Sequence, residues 1–339
     1  MKKLLVLLLA LPLVTQAQIR VQDKKTVSYN GIARDGSLGT NQLNAQTYGL
    51  LKNPNFVTYT LSVDTGYGTG TNIDITHPTG WVYADIEAIG GGGAGASGSC
   101  RTNDVVSRGG SSGSSGSITR RRIFASEVTN TFFRCVVPAG GTGGASVIAD
   151  ADGNAGTDGA AATIKDGATS LFLVYAFKGY GGSSTAGGIL VGSEFVGAAG
   201  TASSASGTYG LQGVHGAIGS GGAGGGITTG NAWSAGGPSG RTTSAPVDGN
   251  YLAETTLGGA TEGADGANGV STTTSGPGRA GGGGASSTAG DGGDAGNGGK
   301  YGASGGGGGA ARLGVGASGK GGDGASGIIK IAYFVNPTN

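Results

Sequence analysis

Histidine and cysteine are nearly absent from this chain, with two of each in 339 residues. His77 and His215 have no ligand-type neighbours in sequence, so local spacing gives no zinc motif, and no metal or cofactor is expected. Proline is scarce, eight residues against 79 glycines. A collagen triple helix needs glycine at every third position together with abundant proline, which disfavours a long one here. Charge is sparse and balanced, 21 basic against 20 acidic residues for a formal net charge of +1. That balance offers no field to recruit nucleic acid or an anionic membrane, and neither is expected as a partner. The basic runs Lys24-Lys25 and Arg120-Arg121-Arg122 are short and read as solvated faces.

Glycine is abundant and phased. Between residues 290 and 308 it falls at every third position. The intervening positions divide into a mostly polar set (Asp291, Asp294, Asn297, Lys300, Ala303) and a mostly small set (Gly292, Ala295, Gly298, Tyr301, Ser304). A period of three is neither that of an α-helix nor that of a strand. It is the period of an extended left-handed helix without internal hydrogen bonds. When such rods pack, neighbours must satisfy their amides, and glycine permits the approach. The spacing therefore predicts a bundle of rods bonded laterally through their backbones. Residues 290–308 are expected as an outer rod, and the less polar run Gly213 to Gly225 as an interior one. The bland alternative, a disordered glycine linker, is opposed by the phasing and by a 36% hydrophobic content.

In chain order, residues 1–17 read as a secretory signal peptide. Lys2 and Lys3 precede an apolar run from Leu4 to Val14, and Thr15-Gln16-Ala17 offers a cleavage site. The run is too short for a comfortable membrane span, and no stable span is expected after cleavage. In an exported protein, Cys100 and Cys135 form a disulfide or remain two free buried thiols; the leader favours the disulfide. Residues 18–80 form a β-rich unit, with strand patterns at 56–63 and 72–76. A longer strand is expected at 81–89, with Asp85 and Glu87 on its wet face. All but eight of the glycines then fall within 90–327. Strands are expected within 123–137, at 170–178 and at 328–334. The last should pair near 81–89 and close the glycine-rich domain 81–339 at its base. The fold class is all-β: a β-rich N-terminal unit, then a glycine-rich polyglycine-II helix bundle closed by a C-terminal strand.

Motifs of catalysis occur without their context. Gly109-Gly110-Ser111-Ser112-Gly113 matches a nucleophile elbow but lacks the flanking strand and helix. Gly93-Ala94-Gly95-Ala96-Ser97-Gly98 matches a dinucleotide fingerprint but opens no helix. The aspartates among the glycines lack the large apolar position of calcium-binding nonapeptides. No catalytic residue is assigned and no enzyme activity is expected. Aromatics are few in 180–327, and loop-borne ones suit binding: Trp233 and Tyr251 first, then Tyr180, Tyr209 and Tyr301.

A strand runs into Gly90-Gly91-Gly92-Gly93, broken glycine-rich segments follow, and Gly324-Ala325-Ser326-Gly327 leads into a terminal Ile-Ile-Lys-Ile-Ala-Tyr strand. This arrangement resembles the glycine-rich domains of bacteriophage tail-fibre proteins. It is similar to the distal adhesins of T-even-type phages, whose polyglycine-II sandwiches carry receptor-binding loops at the tip. The resemblance implies a non-enzymatic adhesin, exported or on a virion surface, that recognises a host surface protein or glycan through loops. Its N-terminal unit would attach to a virion or fibre component, and a homo-oligomer is compatible with such a role. The alternative is a secreted structural protein of a cell surface, filament or matrix that self-associates.

Overall fold

A computed structural model describes residues 56–183, 210, 212–213, 217–242, 255–271 and 276–336. Among these the protein is all-β. Its strands are β1 (Phe56–Leu61), β2 (Asn72–Thr76), β3 (Trp81–Ile89), β4 (Cys100–Arg101), β5 (Ile118–Phe124), β6 (Phe132–Val136), β7 (Ala162–Asp166), β8 (Phe172–Ala176), β9 (Ala311–Arg312) and β10 (Ile328–Val335). The chain divides into two compact units: Met1–Val57 with Pro78–Val82 and Tyr333–Asn339, and Thr58–His77 with Tyr83–Ala332. In the smaller unit Phe56 meets Phe334 and Trp81 meets Tyr333, edge to face at 5.5 and 5.4 Å. The larger unit carries the glycine-rich segments.

Two four-stranded sheets form, in the orders β1-β10-β3-β5 and β2-β6-β7-β8. β10 lies beside β3, as the sequence pattern predicts. Alternation explains which side each strand buries. Along β3, Ala84, Ile86 and Ala88 are buried, while Asp85 and Glu87 face outward and pair with Arg122 and Arg120 directly opposite on β5. Glu87 also meets Lys330 of β10 at 2.8 Å. In the second sheet Ile75, Phe133, Cys135, Ile164 and Val174 are buried. β1 and β2 lie within the stretch expected as an N-terminal base. Each pairs into a sheet whose other strands come from beyond residue 80, so no break between sheets falls at that boundary. Residues 1–17 and 18–55 lie outside the described residues.

The glycine-rich segments obey a rule of three. From Gly90 to Cys100 the backbone N–H groups donate in turn to three antiparallel neighbours. Gly90, Gly93, Ala96 and Ser99 bond Ser117, Ser114, Ser111 and Arg108. Gly91, Ala94, Ser97 and Cys100 bond Ala160, Thr157, Asn154 and Ala151. Gly92, Gly95 and Gly98 bond Ala325, Gly322 and Gly319. The carbonyls of the same stretch accept from three parallel neighbours, at 141–144, 179–182 and 305–311. Residues 89–100 are buried throughout. Residues 303–311 form a second such hub. It is bonded to 93–99, 110–116, 222–225, 281–287, 293–296 and 319–325. Buried serines join these ladders rather than interrupting them. Ser115 Oγ donates to the Gly219 carbonyl at 2.7 Å, and the Gly221 N–H donates to Ser304 Oγ at 2.9 Å.

The run 290–308 is not one outer rod. The chain turns at 300–302, with Gly302 at φ +73°, so 291–299 runs along the surface and 303–310 returns through the interior. The outward positions Asp291, Asp294 and Asn297 are exposed, as expected for the first half alone. Where a surface segment lacks a backbone partner, side chains supply one. The N–H groups of Ala317, Lys320 and Asp323 donate to the side-chain oxygens of Asp291, Asp294 and Asn297 at 2.7–2.8 Å. The stretch 218–227 is buried, which agrees with the interior placement of the 218–225 part of that run; 214–216 lie outside the described residues.

The expected disulfide is corrected. Cys100 and Cys135 are both free and buried. Cys100 starts β4 beside Ala311, whereas Cys135 sits in β6 opposite Ile73 and Ile164, so the two belong to different sheets. Burial raises both thiols, with a smaller push from Asp150 at Cys100; Cys135 reaches about 12. A thiol held that high is not a nucleophile at neutral pH. Titration of the native protein with a thiol reagent should find neither cysteine, and titration after unfolding without reductant should find both.

A Cβ built on Gly95 would lie 1.7 Å from the Gly306 carbonyl oxygen, whereas one on Gly68 would meet nothing nearer than 3.6 Å. Gly95→Ala is expected to cost about 3 kcal/mol or more through overpacking, and Gly68→Ala within ~0.5 kcal/mol of neutral. Denaturant midpoints of the two variants check the contrast.

Candidate functional site: the distal loops

Both hubs run from the sheets towards one end of the larger unit. Gly90 follows β3, while Cys100 and Ala311 lie side by side at the far end, where β4 pairs with β9 in parallel. Here the chain reverses repeatedly, through loops at 102–107, 145–150, 228–233, 260–264, 287–291 and 313–316. These are the distal loops. Val105, Ile148, Trp233 and Val315 all sit on them and are exposed, Ile148 to 77% and Trp233 to 39%. Exposed apolar side chains scattered singly need no explanation, but four at one end of a unit do.

The loops are tied down locally. Arg101 pairs with Asp152 at 2.7 Å and Asp150 at 3.3 Å, which anchors the loop that carries Ile148. The Val147 N–H donates to Ser318 Oγ at 2.9 Å, and the Ser318 N–H returns a bond to the Val147 carbonyl at 2.8 Å. The Ala232 N–H donates to Thr228 Oγ1 at 3.2 Å, just before Trp233. Glu262 accepts from the Thr288 N–H and hydroxyl at 2.5 and 2.6 Å. The Thr288 hydroxyl chiefly, then its N–H, holds the Glu262 carboxyl below the usual glutamate range.

The described members of the sequence-predicted binding set, Trp233, Tyr180 and Tyr301, do not come together. Trp233 is exposed on a distal loop. Tyr180 is half-buried towards the opposite end, its carbonyl accepting from Ser114 and its ring 4.9 Å from the Lys178 ammonium. Tyr301 requires correction: it is only 8% exposed. It clusters with Ile89, Ile118, Ile218, Ala303 and Ile328, and its hydroxyl donates to Asp64 at 2.9 Å. Triplet phasing places it on the outer rod 290–308, but it sits in the turn at 300–302, pressed against the sheet end. Tyr209 and Tyr251 lie outside the described residues. Sequence reasoning missed Val105, Ile148 and Val315, because single aliphatics between polar residues give no local sign of converging.

No known family model matches the chain, and no curated protein matches its sequence.

Because Glu262 is depressed in the folded state, its contribution is present above the ordinary glutamate range and is lost as pH falls through the lowered value. Amide exchange in 287–290 should therefore quicken on acidification, after correction for intrinsic rates. The Glu262→Gln variant should lose that dependence.

Proposed function

We propose that this protein is a non-enzymatic adhesin, exported or carried on a virion surface, that recognises a host-surface molecule through its distal loops. In this reading the glycine-rich segments are polyglycine-II helices, a stiff pedestal, and the N-terminal part joins a particle or fibre. The reading is supported by the triplet order of lateral amide bonds and by the resemblance to tail-fibre adhesins. The observation that carries it is the exposure of Val105, Ile148, Trp233 and Val315 on loops that begin beside laterally bonded backbone. Mechanism follows from that arrangement. A rigid root lowers the ordering cost of binding, and apolar side chains already out of the core supply contact area. Branched aliphatics offer no hydrogen bonds to sugar hydroxyls, and nearby Arg101 already holds two aspartates, which favours a protein receptor over a glycan. Self-association through sheet edges is less favoured at β8. There the carbonyls of Leu173 and Tyr175 accept from Arg121 and Thr119 side chains at 2.7 and 3.0 Å, which blunts the edge.

Trp233→Ala in the full-length protein should weaken host-cell attachment about tenfold or more, as truncation at the centre of an interface does. Its unfolding midpoint should match that of the parent. Attachment that is unaltered in Trp233→Ala and also in Ile148→Asp would sink the distal-loop reading.

A further inference from the structure

Arg312 is the largest fully buried side chain among the described residues, and it carries a charge. Its partners are not carboxylates. Nε donates to Asn231 Oδ1 at 2.7 Å. Nη1 donates to the carbonyls of Thr102 and Val105 at 2.8 and 2.5 Å, and more weakly to Ser107 Oγ at 3.3 Å. Nη2 donates to the Thr228 carbonyl at 2.7 Å. The Asp104 carboxylate acts on it through space without bonding it. Burying a charge with no carboxylate bonded to it is costly, and an apolar side chain of similar volume would often stabilise a core better. General stability therefore does not explain this residue, whereas its partners do. Thr102 and Val105 belong to one distal loop, Thr228 and Asn231 to another, and Arg312 itself opens the turn 313–316, where the Val315 N–H donates to its carbonyl at 3.2 Å.

A second observation points to the same place. Among the described residues only two non-glycines have left-handed backbones, Asp104 at φ 67° and Asn231 at φ 61°. Each lies in one of the two loops that the guanidinium holds. Such conformations persist where the surroundings over-determine them, and they gather at functional sites. The same two loops bear the exposed side chains Val105 and Trp233.

We infer that Arg312 is the positioning residue of the distal surface: its planar fork holds loops 102–107 and 228–233 in one arrangement before any partner arrives, and so sets Val105 and Trp233 relative to each other. The partner's nature rests on the adhesin reading; the clamp does not. Lysine cannot replace the fork, since one ammonium cannot reach acceptors spread around a planar group.

Hydrogen exchange of the full-length protein tests this without a partner. In Arg312→Lys, uptake in 102–107 and 228–233 should rise about tenfold or more, while 90–99 and 303–310 keep parental protection. Asn231→Asp retains an acceptor at the same place and should keep both loops protected. Asn231→Gly relieves the left-handed backbone but deletes the acceptor, and should loosen 228–233 alone. Loops as protected in Arg312→Lys as in the parent would overturn the assignment, as would loops and hubs loosening together. If the lysine variant does not fold, Asn231→Gly decides: parental protection of 228–233 rejects the clamp, and loosening confined to that loop upholds it. A clamp verified in this way alongside absent host-cell binding would remove the adhesin reading and leave the role of Arg312 standing.

Discussion

Successive amides of a glycine-rich segment point at three different neighbours, every third returning to the same one, and each lateral bond can form only where no side chain stands between the backbones. At Gly92, Gly95 and Gly98 a Cβ would meet the carbonyls of Ala303, Gly306 and Gly309 at 2.1, 1.7 and 2.1 Å. The same backbone contact that supplies cohesion therefore forbids substitution. Each bond is worth only about 0.5–1.5 kcal/mol net, but a buried amide left unmade costs more. The interior accordingly permits glycine, alanine and serine and little else. Cohesion there comes from the backbone rather than from apolar volume. The apolar volume lies elsewhere, on the buried faces of the two sheets and in the Ile89–Ile118–Ile328 cluster where the segments begin.

The outermost glycine-rich segments pose a different problem, because they run out of neighbours. Its solution is written in the polar third of each triplet. Asp265 and Asn268 accept from the N–H groups of Asp294 and Asn297, whose own side chains accept from Lys320 and Asp323; Asp323 in turn accepts from Gly143. Short carboxylates and carboxamides thus substitute for missing carbonyls along the flank. This gives the aspartates among the glycines a structural task that calcium motifs would have misread.

What was legible in the chain was whatever repeats locally. Triplet phasing announced lateral bonding, and alternation placed Asp85 and Glu87 on the outer face of β3. The terminal Ile-Ile-Lys-Ile-Ala-Tyr run carried enough strand character to be placed beside it. What was not legible was where a phased run changes direction. Glycine sits at 302 in register with the repeat, so the turn that sends 303–310 into the interior leaves the period intact. Tyr301 was misjudged for the same reason. Two cysteines in an exported-looking chain suggested a bridge, yet spacing carries no information about which sheet each residue joins. The distal cluster was hidden by distance in sequence: Arg312 gathers partners from 102–107 and 228–231, and nothing local to Ala310-Ala311-Arg312 foretells them.

These constraints bear on where recognition can reside. A scaffold whose interior admits hardly any side chain cannot line a deep pocket within itself, so varied chemistry is confined to the ends and flanks. The flanks are committed to capping amides. At one end, strands and an apolar cluster occupy the segment starts. Among the described residues the distal end combines frequent chain reversal, exposed large side chains and freedom from triplet order. There the loops begin one or two residues after fully bonded backbone, as at Cys100 and Arg101, so little chain is free to move between root and tip. A loop so rooted still needs its crest fixed, because lateral bonds stop where the segments end. A buried guanidinium with acceptors on two loops does at the crest what shared amides do below it. The fully buried guanidinium is thus a consequence of the same rule: where backbone can no longer bond backbone, one side chain must reach several carbonyls at once.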